Sequence, residues 1–350
     1  MATETIEAPV PVRRAAIRDI AQICGVSVAT VSRVLNGRPD VSQATRDLVM
    51  HHVRTLGYVG NRSARALVSG RTGLIGIVVP FAHSGYFSSI LQGASEALYE
   101  RDARLVLCPT GHQHAREVTV LDRLSEGVTD GTLLVTPTET TAELRALRRR
   151  GSPMVVIDPS TPLDDDVPVV AVGNWSGARA ATQHLIGLGH SRIAIITGPR
   201  DWCASIDRRD GYHSALMGAG LPAVPEYVRE GNFEQESGYR AAAALLALPN
   251  PPTAIFALSD PMAIGALRAA RQRGLAVPDD LSLVGFDDVD LSRVTTPELT
   301  TVSQPLHELG RLAITVLYRQ IDGQPLDAYR VELSTRLIVR GSTAAPRRGS

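Results

Sequence analysis

Between Ser27 and Asn36 the side chains combine small hydroxyls, small apolar groups and one guanidinium, a set suited to reading a nucleic acid. On a helix from Val28 to Leu35, Val28, Ala29 and Arg33 share one exposed stripe while Val31, Val34 and Leu35 face inward. Arg33 has a planar fork matching the O6/N7 edge of guanine, and Val28 and Ala29 offer apolar contact best met by a thymine methyl. Ser27, Thr30, Ser32 and Asn36 supply hydroxyls and an amide for phosphate oxygens. A plain three-helix cap with a solvated Arg33 would use the same residues, so the local pattern alone leaves both readings open.

Three short helices must position that stripe. Ile17, Ile20, Ala21 and Ile23 give the first an apolar face, and Gly25 ends it. Ser27 caps the second, which closes at Asn36-Gly37. Ser42 caps a third helix that runs to about Leu56 and stops at Gly57. Two short helices around a tight glycine turn form a helix-turn-helix pattern. The expected boundaries are a loose tail over 1–15, this head over 16–60 and a linker with helical potential over 61–73.

The charge distribution agrees with a head made for a polyanion. The chain has 36 basic and 36 acidic side chains, yet residues 1–72 carry ten arginines against five acids. The excess of acids therefore falls on the remaining body. With 350 residues, 44% hydrophobic and 21% charged, general disorder and fibrous repeats are excluded. No apolar run approaches the roughly 20 residues of a membrane span. The first ten residues lack a basic and then apolar signal pattern. Cys24, Cys108 and Cys203 are too scattered for a disulfide framework or a CxxC-type metal site. His112-x-His114 has no third ligand nearby in sequence and reads as a solvated loop. A cytoplasmic protein without metal or cofactor is expected.

From Leu74 onward short β-branched runs alternate with amphipathic stretches. Strands are predicted at 74–79, 105–107, 132–135, 154–157, 169–172, 193–197, 255–258 and 283–286. Helices are predicted at 88–101, 177–188, 209–219 and 262–273, among others. This alternation predicts an α/β body of parallel sheets with helices on both faces. Eight to ten strands exceed one comfortable domain, so two similar lobes dividing near Gly173 are expected.

Residues 17–37, with Leu56-Gly-Tyr58 and Ala64-Arg-Ala-Leu67, resemble the DNA-reading head and hinge of the LacI/GalR (lactose-repressor) family of bacterial transcription regulators. The body carries the resemblance onward through Leu188-Gly-His-Ser-Arg-Ile193, Arg208-Arg-Asp-Gly-Tyr212, Ser259-Asp-Pro-Met-Ala263, Val284-Gly-Phe-Asp-Asp288 and Pro297-Glu-Leu-Thr-Thr301. The resemblance implies base-reading roles for Val28, Ala29 and Arg33, and phosphate or supporting roles for Ser27, Thr30, Ser32 and Asn36. It implies that Leu67, flanked by Ala64, Arg65 and Ala66, wedges into the minor groove. It also implies a periplasmic-binding-protein-like body over 74–341, with lobe 1 over 74–172 and 302–328 and lobe 2 over 173–301 and 329–341. A tail is expected over 342–350.

In such a body ligands sit at the carboxyl ends of parallel strands, between the lobes. Asp158, Asn174, Ser259, Asp260 and Asp287 all follow predicted strands. The resemblance adds effector-binding roles at Arg208, Phe87 and Phe233, and favours such roles for Asp158, Ser259 and Asp287. Trp202 reads as a lobe-interface or lid residue. Carboxylates, one Arg and aromatic faces suit a hydroxyl-rich ring. Departures are Gly173, Pro159 and Ser259, where many relatives carry Asp, Arg and Asn. A small sugar is the expected effector, with a nucleobase as the alternative, and a homodimer on a pseudo-palindromic double-stranded operator is the expected assembly. A cytosolic sugar receptor without a DNA role, or an enzyme using Asp158 and Asp287 as an acid–base pair, is disfavoured. No nucleophile elbow, P-loop, metal cluster or GxGxxG motif accompanies those carboxylates.

Overall fold

The computed structural model describes residues 15–35, 37–58 and 70–347. The chain divides into two compact units, Met1–Thr72 and Gly73–Ser350. In the first, α1 (Ile17–Cys24), α2 (Val28–Leu35) and α3 (Gln43–Thr55) enclose a small core of Ile20, Ala21, Val31, Val34 and Val49. Gly25 closes α1 at φ +64°, a left-handed conformation that glycine adopts without steric cost. Ser27 Oγ accepts from Thr30 N at 3.1 Å and Ser42 Oγ from Thr45 N at 3.2 Å, so both predicted caps form. Cys24 packs half-buried against the core. The predicted linker helix, including Ala64, Arg65 and Leu67, and the phosphate candidate Asn36 lie outside the described residues.

The second unit holds two six-stranded sheets. In chain order its strands are β1 (Leu74–Val79), β2 (Arg104–Pro109), β3 (Gly131–Val135), β4 (Met154–Ile157), β5 (Val169–Val172), β6 (Ile193–Thr197), β7 (Val228–Glu230), β8 (Ala254–Ala257), β9 (Ser282–Asp287), β10 (Thr300–Ser303), β11 (Arg330–Leu333) and β12 (Arg336–Ile338). Lobe 1 has the order β11-β5-β4-β3-β1-β2, all parallel. Lobe 2 has the order β12-β10-β9-β8-β6-β7, parallel except for β10 with β12. The central strands are buried on both faces, and Val, Ile, Leu and Phe fill them as a two-sided parallel strand requires.

The helices are α4 (Gly85–Tyr99), α5 (His114–Arg123), α6 (Thr141–Arg149), α7 (Asn174–Gly187), α8 (Cys203–Gly218), α9 (Gln235–Leu245), α10 (Asp260–Gln272), α11 (Leu291–Val294) and α12 (Leu306–Ile321). In lobe 1, α4 and α12 touch backbone to backbone. A Cβ on Gly93 would meet the His307 carbonyl oxygen at 1.9 Å, and one on Gly310 the Ile90 carbonyl oxygen at 2.1 Å. Gly310→Ala should therefore destabilise the body by about 1–3 kcal/mol through forced separation of the helices. A lowered urea midpoint at unchanged slope would show it.

Three boundaries differ from expectation. Val302 and Ser303 do not open the return to lobe 1, because β10 pairs with β9 through Ser303 in the lobe 2 sheet. Residues 330–333 do not belong to lobe 2, because β11 pairs with β5 and extends the lobe 1 sheet. The last crossing between lobes thus falls between Leu333 and Arg336. Residues 342–347 are not a tail. Ser342 is 1% exposed, donates to the Leu283 carbonyl at 2.6 Å and accepts from Thr300 N at 2.8 Å. Ser282 Oγ also donates to the Ala344 carbonyl at 3.0 Å, fixing the segment to lobe 2.

Candidate DNA-reading head and effector cleft

In the head, Val28, Ala29 and Arg33 are all exposed on one side of α2, opposite the buried Val31 and Val34. Arg33 Nε lies 3.5 Å from Asp40 Oδ2, with both side chains more than half exposed. Such a pair is worth at most about 1 kcal/mol and releases the guanidinium readily. Ser27 and Thr30 join their hydroxyls at 2.9 Å beside the amino end of α2, where free backbone N–H groups favour an anion. Ser32 is half-buried on the same helix.

In the body, β4 delivers Asp158, the start of α7 delivers Asn174, α8 delivers Arg208 and β9 delivers Asp287. All four are more than nine-tenths buried. Arg208 Nε donates to Asn174 Oδ1 at 2.8 Å, and its Nη1 donates to the Leu258 carbonyl at 2.6 Å. The same Nη1 is 3.7 Å from Asp287 Oδ1. The guanidinium also lies 3.7 Å over the Phe286 ring, a cation–π contact that fixes its plane. Gln304 Nε2 donates to Asp287 Oδ1 at 2.5 Å.

Burial pushes Asp287 up to about 7 despite the pull of Arg208 and Gln304. Burial likewise raises Asp158, against the hydrogen bond from Tyr86 and the charge of Arg208. Because the folded value of Asp287 lies above its unfolded value near 4, this group withdraws stability as pH rises from about 4 to about 7. The expected result is that Asp287→Asn gains in melting temperature relative to the parent progressively from pH 5 to 7.5. A pH-independent gap between the two proteins would remove Asp287 as the titrating group.

Two buried polar atoms of this cluster, Asp158 Oδ1 and Gln304 Oε1, have no hydrogen-bond partner among the described residues, and elsewhere in the body the same holds for Thr136 Oγ1, Ser205 Oγ and His112 Nδ1. Most follow the carboxyl ends of strands, where a ligand in a two-lobed parallel body is held. Left unmade, each bond costs about 1–3 kcal/mol, which a ligand rich in hydroxyls would recover. An aromatic row crosses the lobes above them: His112 lies 4.8 Å from Trp202, and Trp202 lies 5.5 Å from Phe233, centroid to centroid. Trp202 thus joins the lobes. Beside it Cys203 N donates to the Ser160 carbonyl at 2.8 Å, a direct main-chain link between them.

Three sequence candidates are placed otherwise. Phe87 packs in the lobe 1 core, whereas its neighbour Tyr86 donates to Asp158 Oδ2 at 2.5 Å. Ser259 caps α10 by accepting from Met262 N and donates to the Phe233 carbonyl at 3.2 Å. Asp260, fully buried, accepts from Val289 N at 2.9 Å and from Thr301 Oγ1 at 2.5 Å, so it holds the β9–α11 turn rather than a ligand. Tyr86 and Gln304 escaped sequence reasoning. Helical phase decides which of two adjacent aromatics faces the core, and Gln304 follows a strand too rich in threonine to read as one.

Comparison with known proteins gives this geometry its setting. Residues 16–61 match the description "Bacterial regulatory proteins, lacI family", and residues 182–343 match "Periplasmic binding protein-like domain". Over 334 residues the chain is 36% identical to the HTH-type transcriptional repressor CytR of Escherichia coli K12, covering 95% of this chain and 97% of that protein. The chain belongs to the lacI family. The ribose operon repressor of Escherichia coli K12 is 37% identical over 330 residues, covering 94% of the lacI-family chain and 99% of the relative. Among solved structures, the lac repressor dimer bound to operator and the anti-inducer ONPF superposes with TM-score 0.86 at 28% identity, covering 95% and 100%. The transcriptional regulator CelR–cellobiose complex gives 0.73 at 34% identity, covering 94% and 100%. The lacI-family chain is a DNA-binding transcriptional regulator, and the curated relatives named here are transcriptional repressors. Among its described residues no helix is long and apolar enough to cross a membrane, and no group of three or more His, Cys, Asp or Glu could hold a metal ion.

Proposed function

We propose that this protein is a dimeric repressor whose hold on a pseudo-palindromic operator is controlled by a neutral, hydroxyl-rich effector bound between its lobes. Val28, Ala29 and Arg33 read bases, Ser27, Thr30, Ser32 and Asn36 meet phosphates, and Leu67 with Ala64 and Arg65 enters the minor groove. The observation that carries the effector reading is the convergence of Asp158 Oδ1 and Gln304 Oε1, buried and unpartnered, on a fixed Arg208–Asn174–Asp287 group. One guanidinium facing two carboxylates of raised pKa suits an uncharged ligand whose hydroxyls both donate and accept. The same carboxylates bind rather than catalyse, since binding alone uses every group in the cluster.

The row of His112, Trp202 and Phe233 favours a second reading, an effector that adds a flat ring, such as a nucleoside. Selection of bound genomic DNA fragments, followed by release assays with a pentose, a disaccharide and a nucleoside, tests both. Release by none of them would remove the cleft reading. Leu67→Ala should weaken operator binding while leaving salt-dependent binding to random DNA nearly intact. Equal losses on both DNAs would mean that Leu67 only joins the two subunits.

A further inference from the structure

Two carboxyls of lobe 1 are buried against each other. Glu117 on α5 and Glu139 in the loop after β3 are each 1% exposed, and a side-chain hydrogen bond joins them. Ionised carboxylates only accept, so that bond needs one proton between the two groups. The other contacts show which group carries it. Thr110 Oγ1 donates to Glu117 Oε1 at 2.8 Å, Thr138 N donates to Oε2 at 2.9 Å, and the Thr138 hydroxyl donates to Oε2 as well. Glu117, with three donors, is the carboxylate. Glu139, met besides by its own backbone N–H, is the acid.

The loop that this pair fastens, residues 136–140, leads on to the junction of the lobes. Thr136 N donates to the Ile157 carbonyl at 2.9 Å, which ties the loop to the end of β4. The Pro137 carbonyl accepts from the hydroxyl of Ser160, itself 4% exposed. The Ser160 carbonyl in turn accepts from Cys203 N of lobe 2 at 2.8 Å. Trp202, the residue before Cys203, stacks on His112 of lobe 1 and Phe233 of lobe 2.

We propose that Glu117 and Glu139 share one proton as a pH-sensitive strut, which keeps the loop after β3 where Pro137 and Ser160 fasten lobe 1 to lobe 2 at Cys203. Losing the proton leaves two like charges in contact away from water, and the loop must move to separate them. The Pro137 carbonyl moves with it, and Ser160 loses the partner that sets its position. The strut acts between the lobes whatever the effector is.

The charged and titratable groups facing the pair are His114 and Asp122 from α5 and Glu143 and Arg150 from α6. His114 joins Glu143 Oε1 at 3.1 Å, and Arg150 Nη1 pairs with Asp122 Oδ1 at 2.7 Å, so both bases are engaged elsewhere. Burial, reinforced by the charge of Glu117, pushes Glu139 up to about 8. The strut therefore holds below that pH and lets go above it.

Trp202 reports on the junction. In a Trp175→Phe background it is the one tryptophan of the full chain, and its emission can be followed across neutral to mildly alkaline pH. Asp287, at about 7, also titrates there, and burial pushes the Cys203 thiol above its usual value. Both groups are kept in Glu139→Gln, so the difference between its curve and the parent's isolates Glu139. Glutamine has the shape of the neutral acid and donates to Glu117 at every pH. The expected result is a one-proton step near pH 8 in the parent, missing from Glu139→Gln. Ser160→Ala, which cuts the route to Cys203 but keeps both carboxyls, should lose most of that step. A parent curve without the step, an equal step in Glu139→Gln, or an undiminished step in Ser160→Ala would each overturn the strut. If Glu139→Gln fails to fold, the comparison of parent with Ser160→Ala decides: a lost step supports the strut, and an undiminished one rejects it.

Discussion

Arg208→Ala should give a protein that still occupies its operator but no longer releases it at any effector concentration effective on the parent, a shift of at least about a hundredfold. The partners of Arg208, Asn174, the Leu258 carbonyl and the Phe286 ring, all belong to the body, and α2 has its own core in the head, so the DNA-reading surface should keep its geometry. In the cleft the loss is threefold in kind. The donor to Asn174 Oδ1 disappears, the Leu258 carbonyl loses its 2.6 Å partner, and Asp287 loses the guanidinium that holds its pKa down. Removing one partner of a buried charge pair typically costs about 3–5 kcal/mol. Here part of that cost is relieved, because Asp287 already titrates at about 7 and can take up a proton instead. The variant should therefore melt lower but fold at 25 °C, and its operator affinity should lie within a few-fold of the parent. Reciprocity adds a second measurement: in the parent, effector must bind more weakly to the operator complex than to free protein by the factor with which it weakens DNA binding. An unchanged release midpoint in Arg208→Ala would exclude this residue from the effector site.

The sequence showed the core more clearly than the site, for a physical reason. A strand buried on both faces must be apolar along its length, so Leu74–Val79 and Ile193–Thr197 announce themselves. Edge strands need only main-chain partners on one side, and β7, β11 and β12, with their largely exposed arginines and glutamates, carry no such pattern. Within 329–341, expected in lobe 2, β12 does pair there, but β11 joins lobe 1 through backbone hydrogen bonds that no side-chain pattern records. Polar residues after strands were a productive but overinclusive sign. The turn from a strand into a helix also needs caps and turn-holding carboxylates, which is what Ser259 and Asp260 supply. Asp158 and Asp287 stand at equivalent turns, both at positive φ, yet face the cleft. Only packing distinguishes the two pairs.

Arg33→Ala should cost about 1–3 kcal/mol in operator affinity per half-site and relax the preference at a single guanine, leaving the other positions as selective as before. The expectation rests on exposure and geometry together. The stripe of Val28, Ala29 and Arg33 is held outward because Val31 and Val34, two positions before and one after Arg33, are buried against Ile20 and Val49. Arg33 is the single residue of that stripe able to make two parallel hydrogen bonds to a base edge. In the free protein its guanidinium rests 3.5 Å from Asp40 in solvent, a contact weak enough to exchange for guanine without a measurable penalty. Asp40→Asn should accordingly leave the selected sequence unchanged, whereas Arg33→Ala should change it at one position. Phosphate contacts obey a different dependence: losing one lowers affinity on every sequence and flattens the salt dependence by about one unit of slope. Binding curves at several salt concentrations, on the selected operator and on a version with that guanine replaced, separate the two roles. If Arg33→Ala loses equally on both DNAs and reduces the slope, Arg33 grips the backbone, and the base edge is read by another residue of α2.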